Sequence, residues 1–260
     1  MLPYQVSFLS PKKNKYALLI PTLNEGKYIR GQLTRMKTHN IFNIVDVFIL
    51  DSCSTDGSVE NKALKILGAT GKLTITAGCQ GTAFRCGFHE AIRQGYAGVI
   101  TIDGNNKDSV EDIPKFIAAL DKGVDFIQGS RFAVGGHHEN TPLFRLVANK
   151  LILIPWVQML AGYPYTEVAS AFRGMSRRFL TDPRLEIERG CFVGYELLWY
   201  ISVMAPKLGF KVMEIPIKRL YPKGPTPTKI TWARCFGIIG QLIKLTFGRY
   251  DRKRTGRGET

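Results

Sequence analysis

The sequence is short of acids: 21 Asp and Glu stand against 36 Lys and Arg, for a formal net charge of +15. That imbalance favours a polyanionic partner, whether nucleic acid, an anionic membrane surface or a phosphorylated ligand. The basic residues lack interleaved aromatics and follow no recognition motif, which argues against nucleic acid. Cysteine is sparse too. The five cysteines (Cys53, Cys79, Cys86, Cys191, Cys235) are odd in number and scattered, with no C-x-x-C pair. They indicate neither a disulfide framework nor a zinc site, and a reducing, cytosolic compartment fits them best. His89, His137 and His138 form no metal spacing with nearby acids. No uninterrupted apolar run approaches the roughly 20 residues that span a bilayer. The first residues lack the basic start and apolar run of a secretory signal. Any membrane contact is therefore expected to be peripheral. Internal repeats, low-complexity tracts and an interdomain linker are also lacking.

What is present is a chain of 260 residues, 45% hydrophobic and 22% charged. That is enough for one large packed domain, with or without a C-terminal appendage. Short apolar runs at 16–20, 44–50, 72–76, 98–102 and 125–128 read as strands. Between them, 25–38, 58–67, 82–94 and 112–121 read as helices. Alternation of this kind predicts a mostly parallel sheet with right-handed crossovers. Beyond residue 135 the rhythm changes. An apolar-rich helix is expected over 143–160, a loop over 162–170, a strand over 171–175, a helix over 195–208 and a strand over 211–217. The basic, proline-rich stretch 218–229 is a poor candidate for regular structure. An amphipathic helix over 230–247 precedes a polar tail.

Ligands of open α/β sheets lie beyond the carboxyl ends of the strands. Three strands here end in polar clusters: Pro21-Thr22-Leu23-Asn24-Glu25, the run Asp51 to Asp56, and the run Asp103 to Asp108. One such end is an ordinary turn, whereas three on one edge outline a site. Asn24 and Glu25 also suit a helix start, and Asp56 suits a turn and helix cap.

The ordered set of short stretches at 20–25 (IPTLNE), 51–58 (DSCSTDGS), 81–87 (GTAFRCG), 102–107 (IDGNNK), 129–132 (GSRF), 170–173 (SAFR) and 209–217 (GFKVMEIPI) resembles the inverting family-2 glycosyltransferases. Within them it is most similar to the polyprenyl- or dolichol-phosphate mannosyltransferase type. The resemblance covers roughly residues 16–230. It implies an α/β GT-A fold, with a Rossmann-like, mostly parallel sheet flanked by helices and a C-terminal amphipathic segment. The implied division is a glycosyltransferase domain over 1–230, with donor half 16–132 and acceptor half 133–230, followed by a helix and basic tail over 231–260. The implied activity is transfer of a sugar from a nucleotide-sugar donor to a polyprenyl phosphate or a lipid-linked or cell-surface glycan. The alternative is a catalytically weak relative acting as a membrane-associated binding protein.

The resemblance also distributes roles. Pro21, Leu23 and Glu25 would meet the nucleoside, with Glu25 accepting from ribose hydroxyls, and Asp51 would meet the base. Members of the family carry Asp-x-Asp where this chain has Asp103-Gly104-Asn105, and there it holds Mg²⁺ or Mn²⁺ against the donor diphosphate. Asn105 keeps an oxygen ligand but removes a negative charge. Lys107 stands where the mannosyltransferase type has a further metal contact. Either Asp103 and Asn105 bind a cation, or Lys107 partly replaces it. Arg131 matches a family arginine at the phosphates, where leaving-group charge grows in the transition state. Lys229 would reach the acceptor phosphate or the diphosphate, among the cations Lys218, Arg219 and Lys223. Arg85 and Arg173 are weaker candidates, Arg173 lying in a stretch similar to an acceptor-side family motif in which Glu167 and Ala171 replace Asp and Gly. A sugar hydroxyl acceptor needs a carboxylate base, for which Glu167 and Glu196 are the candidates, while a phosphate acceptor is already ionised and needs none. The 135–140 loop is a candidate cover over the donor. The apolar and basic residues of 230–254 suit an anionic membrane interface at its cytoplasmic face. Core packing or a homodimer is favoured for 143–160.

Overall fold

A computed structural model describes the backbone of residues 2–222 and 232–250, with side chains of the last helix described from residue 237. Lys223, Lys229 and Arg252–Arg254 lie outside the described residues, so the role expected of Lys229 finds no placement. The strands are β1 (Tyr4–Leu9), β2 (Ala17–Thr22), β3 (Asp46–Asp51), β4 (Gly71–Ile75), β5 (Gly98–Thr101), β6 (Phe126–Ser130), β7 (His137–Glu139), β8 (Arg173–Ser176), β9 (Val212–Pro216) and β10 (Lys218–Leu220). Eight of them form one sheet in the order β1-β4-β3-β2-β5-β8-β6-β9. Within it β1 and β8 run antiparallel to their neighbours and the other pairs are parallel.

The expected mostly parallel sheet is present because its central strands are buried on both faces. Leu19 of β2 and Phe48 and Leu50 of β3 enter one hydrophobic cluster. Their alternates Leu18, Ile20, Val47 and Ile49 enter the cluster on the opposite face. Helix α3 (Gln80–Arg93) covers the first face through Phe84, Phe88 and Ala91, spaced for a single helical stripe. Helices α1 (Lys27–Thr38) and α4 (Ile113–Asp121) cover the second through Ile29, Leu33, Met36, Ile113 and Phe116. The short α2 (Asn61–Ile66) connects β3 to β4.

Four local expectations change. Residues 4–9, read only as a non-signal N-terminus, form an edge strand beside β4 whose residues Gln5 to Ser7 are exposed. The 135–140 stretch is not simply a loop, because His137–Glu139 pairs in parallel with Lys218–Leu220. The start of the basic stretch after β9 is thus ordered by pairing with a segment about 80 residues earlier, a contact that local propensity does not encode.

The third change concerns α5 (Leu143–Ala161), which contains a π-type turn over Asn149–Leu153. Of the two expectations for it, core packing or a dimer, the first holds for one face. It buries Ile154, Val157 and Ala161 but exposes Leu143, Phe144, Val147, Leu151, Ile152 and Met159, with Leu151 72% exposed. At 19 residues it is long and apolar enough by composition to cross a membrane, which the absence of an unbroken apolar run had discounted.

The last change concerns the chain's C-terminal helix. After α6 (Arg177–Leu180) and α7 (Glu196–Lys207) comes α8 (Trp232–Thr246), which docks on the body. Leu242 and Leu245 are buried, and Trp156 of α5 donates to the Thr246 hydroxyl at 2.9 Å. Ile239, Ile243 and Phe247 remain exposed.

Candidate functional site

The carboxyl ends of β2, β3, β5 and β6 share one edge, as the three polar clusters predicted. The first two clusters are laced together. Asn24 N–H donates to Ser54 Oγ at 3.0 Å, Thr55 N–H to the Asn24 side chain at 2.8 Å and Gly26 N–H to Asp56 at 2.8 Å. Asp56 also accepts from the Ser58 hydroxyl, so its expected turn-shaping role describes the structure. Pro21 is half-buried and Leu23 exposed on this rim, with Glu25 beside them.

Asp51 is placed differently from a free base-reading carboxylate. It is 2% exposed, accepts from Ser54 N–H at 2.9 Å and pairs with Lys72 at 3.0 Å. A nucleobase reaching it would have to share those partners.

The Asp103–Asp108 segment lies close against β2. A Cβ on Gly104 would stand 3.0 Å from the Pro21 carbonyl oxygen, tighter than nearly all real contacts, which explains a glycine there. Asp103 is half-buried. One of its oxygens accepts from Gln80 at 3.3 Å, and the other from the Asn105 amide at 3.4 Å and from Arg219 at 3.0 Å. Arg219 reaches this point from β10 and also donates to both oxygens of Asp108, at 2.7 and 2.6 Å. Asp108 and Arg219 are buried, at 1% and 6% exposure. Burial would disfavour the guanidinium, but Asp108 and Asp103 outweigh it and hold Arg219 well above its ordinary value. It stays charged.

Lys107 stands over the Tyr221 ring at 4.7 Å. Burial, with Arg219 and Arg145 nearby, pushes its ammonium below the ordinary lysine value. Burial alone would raise the Tyr221 phenol, but Arg219, Arg131 and Arg145 bring it down to about 8. The strand ends therefore collect positive potential.

Arg131 follows β6 and is 4% exposed. Its Nε lies 2.8 Å from Glu167, at ion-pair distance but not aligned for a hydrogen bond. Arg131 Nε and Nη1 have no hydrogen-bond partner among the described residues. With Nε facing Glu167, it is the buried Nη1 that suits an anion supplied from outside. Glu167, a candidate base, is wholly buried. One of its oxygens accepts from Val168 and Ala169 N–H and the other faces Arg131.

Glu196 is likewise engaged. One oxygen accepts from Val193 and Gly194 N–H, and the other accepts from Gln241 at 2.5 Å. This closes the loop before α7 and ties it to α8, which is an anchoring geometry rather than that of a free base. Arg85 donates to the Glu188 and Phe192 carbonyls, and Arg173 to those of Ser170, Leu198 and Val168, so both are internal braces.

No family model matches the chain. Polyprenol monophosphomannose synthase of Mycolicibacterium smegmatis is 26% identical over 211 residues, covering 77% of this chain and 75% of that protein. The UDP-N-acetylglucosamine–dolichyl-phosphate N-acetylglucosaminyltransferase of Methanococcus voltae is 26% identical over 254 residues, covering 89% and 96% respectively. Among solved structures, glucosyl-3-phosphoglycerate synthase from Mycobacterium tuberculosis, in complex with Mn²⁺, UDP and phosphoglyceric acid, superposes with a TM-score of 0.65 at 14% identity. That alignment covers 91% of this chain and 78% of the other. The chain is a glycosyltransferase of the GT-A fold.

For this glycosyltransferase the expected cation ligands can now be tested against their neighbours. The solved neighbour holds Mn²⁺ with UDP. Here Asp103 already receives Arg219 and two side-chain amides, Asn105 turns an N–H toward it, and an ammonium stands at Lys107. As arranged, both Asp103 oxygens are engaged by neighbouring donors, so a cation reaching this turn would have to displace one of them.

Arg219 and Asp108 are the site residues that sequence reasoning left in the background. Arg219 was one of several cations in a basic stretch, and Asp108 the last acid of a polar cluster. Their partnership joins positions separated by 111 residues.

Proposed function

We propose that the glycosyltransferase moves a sugar from a nucleotide-sugar, with inversion, onto a polyprenyl phosphate. The observation that carries this reading is Arg131, a buried guanidinium at the strand ends whose Nη1 has no hydrogen-bond partner among the described residues, within electrostatic range of Asp108 and Tyr221. The nucleoside would lie on the rim of Pro21, Leu23 and Glu25 beside the Asp51 turn. The diphosphate would meet Arg131, Lys107 and the Asp103–Asn105 turn. As the nucleoside diphosphate departs, its growing charge is stabilised by Arg131 and Lys107.

A phosphate acceptor is favoured over a sugar hydroxyl because Glu167 and Glu196 are both spoken for, and an ionised phosphate needs no base. The similar proteins point the same way, since their names specify polyprenol or dolichyl phosphate. They differ over the sugar, so the donor is assigned by experiment.

The chain would work at the cytoplasmic face of an anionic membrane. The exposed apolar residues of α5 and α8 carry Lys150, Lys244 and Arg249 beside them, the pattern of an interfacial surface.

The test is transfer of label from GDP-, UDP-, CDP- and dTDP-sugars to a short-chain polyprenyl phosphate, with thermal shift on the same panel. One donor should both stabilise the protein and label the lipid. Stabilisation without transfer would move the chain to the non-catalytic binding reading, to which the changes at Asn105 and Lys107 lend some support. No response to any donor would refute the proposal. Co-sedimentation with phosphatidylglycerol vesicles, but not phosphatidylcholine vesicles, is expected, and Leu151→Glu should abolish it.

A further inference from the structure

We propose that this glycosyltransferase holds its donor diphosphate without a divalent metal, because Arg219 takes a cation's place between Asp103 and Asp108 while Lys107 and Arg131 supply positive charge to the phosphates. The inference rests on the nucleotide-sugar reading above but concerns only the means of holding the phosphates.

Its ground is the arrangement at the end of β5. A divalent cation held with substrate phosphates needs one or two carboxylates with oxygens open to it, and both Asp103 oxygens here already accept from Arg219, Gln80 or Asn105. The second carboxylate that the fold brings up is Asp108, and Arg219 lies between the two, 3.0 Å from Asp103 and 2.6 Å from Asp108. The guanidinium thus bridges two acids much as a cation does, and it is covalently part of the chain. It is also buried and held in register by β10 pairing with β7 and by Leu220 N–H donating to the Lys107 carbonyl at 2.8 Å.

The surrounding charge agrees. The cations Lys107, Arg131, Arg145 and Arg219 face the acids Asp103, Asp108 and Glu167, so the cluster is already slightly positive before a ligand arrives. A divalent ion added here would have Lys107 and Arg219 as close neighbours of like sign. A diphosphate added here would find its counter-charge in place. The two sequence departures, Asn105 and Lys107, act in one direction. The first removes a negative ligand and the second installs a positive charge.

The experiment measures GDP and UDP affinity of the full chain by calorimetry, in EDTA and in MnCl₂, together with Mn²⁺ uptake by the protein alone from its EPR signal. The expected result is a nucleotide affinity that Mn²⁺ changes by less than about threefold, with an undiminished free Mn²⁺ signal. A tenfold or greater tightening by Mn²⁺, about 1.4 kcal/mol, or saturable uptake of Mn²⁺, would overturn the proposal. If neither binds, CDP and dTDP are measured in the same way; if none of the four binds under any condition, the donor reading fails, while Mn²⁺ uptake still judges this inference. The double variant Asn105→Asp/Lys107→Gln restores ligands and removes the ammonium. It should gain at least tenfold Mn²⁺-dependence of nucleotide binding, and continued indifference to Mn²⁺ would count against these two residues as the cause.

Discussion

Replacing Asp108 with asparagine removes one of the two carboxylates that flank the Arg219 guanidinium while keeping the shape of the side chain. Asp108 is 1% exposed and Arg219 6%, so water does not replace the lost charge. Removing one partner of a buried ion pair costs about 3–5 kcal/mol when the remaining charge has nothing to face. Here Asp103 stays 3.0 Å from the guanidinium, and asparagine still offers one acceptor oxygen. Both reduce the penalty, to about 2–3 kcal/mol. In a chain of this size each kcal/mol moves the melting temperature by about 2–4 °C, so a fall of about 4–12 °C is expected by calorimetry. The control is Asp108→Leu combined with Arg219→Met, which removes both charges and leaves apolar groups of similar bulk. It should recover at least half of the loss, since much of the cost of a broken pair is the stranded charge. A D108N variant melting within about 2 °C of wild type would refute the reading of a buried bridge. So would a double variant as damaged as the two single changes added together, because the pair would then show no coupling.

Arg131→Lys should lower the turnover of sugar transfer about 10²–10³-fold, the usual effect of losing a positioned donor to transition-state charge. A loss under tenfold, with the fold intact by circular dichroism, would remove Arg131 from the phosphates. Glu90 is buried on α3, yet its hydrogen bonds from Arg93, Gln94 and Tyr4 overcome burial and hold its carboxyl below the ordinary value of 4.5. Because the folded state prefers the ionised form, its contribution is present above pH 4.5 and fades as pH falls through the lower folded value. The melting-temperature gap between wild type and Glu90→Gln should therefore be full at pH 7 and shrink below pH 4.5, and a gap that widens in acid would contradict the sign. Burial pushes the Cys86 thiol up to about 11, whereas Cys53, Cys79 and Cys191 are exposed. Mass spectrometry after native alkylation at neutral pH should find those three modified before Cys86.

Much of this protein was legible in local pattern. The runs that became β2, β3, β5 and β6 are continuous and apolar because both their faces are covered, and such runs followed by polar turns identify strand ends that face a ligand. Asp103 became a candidate that way, whereas Arg131 became one through the motif order that pointed to the glycosyltransferases. Other features depend on residues meeting across long separations. The pairing of β7 with β10 brings Arg219 to Asp103 and Asp108, and neither segment carries a strong strand signal of its own. The burial of Glu167 and Glu196 among backbone N–H groups is equally invisible in one dimension, so both could be read there as bases. The exposed side of α5 is a further case, because apolar composition is the same whether a helix enters a core or covers a surface. The sequence by itself thus determined the mostly parallel sheet and the edge at which its polar strand ends gather, and its motif order indicated a glycosyltransferase. The tertiary structure alone decided which acids are available and which cation stands among them, because those answers depend on what each side chain meets after the chain has closed.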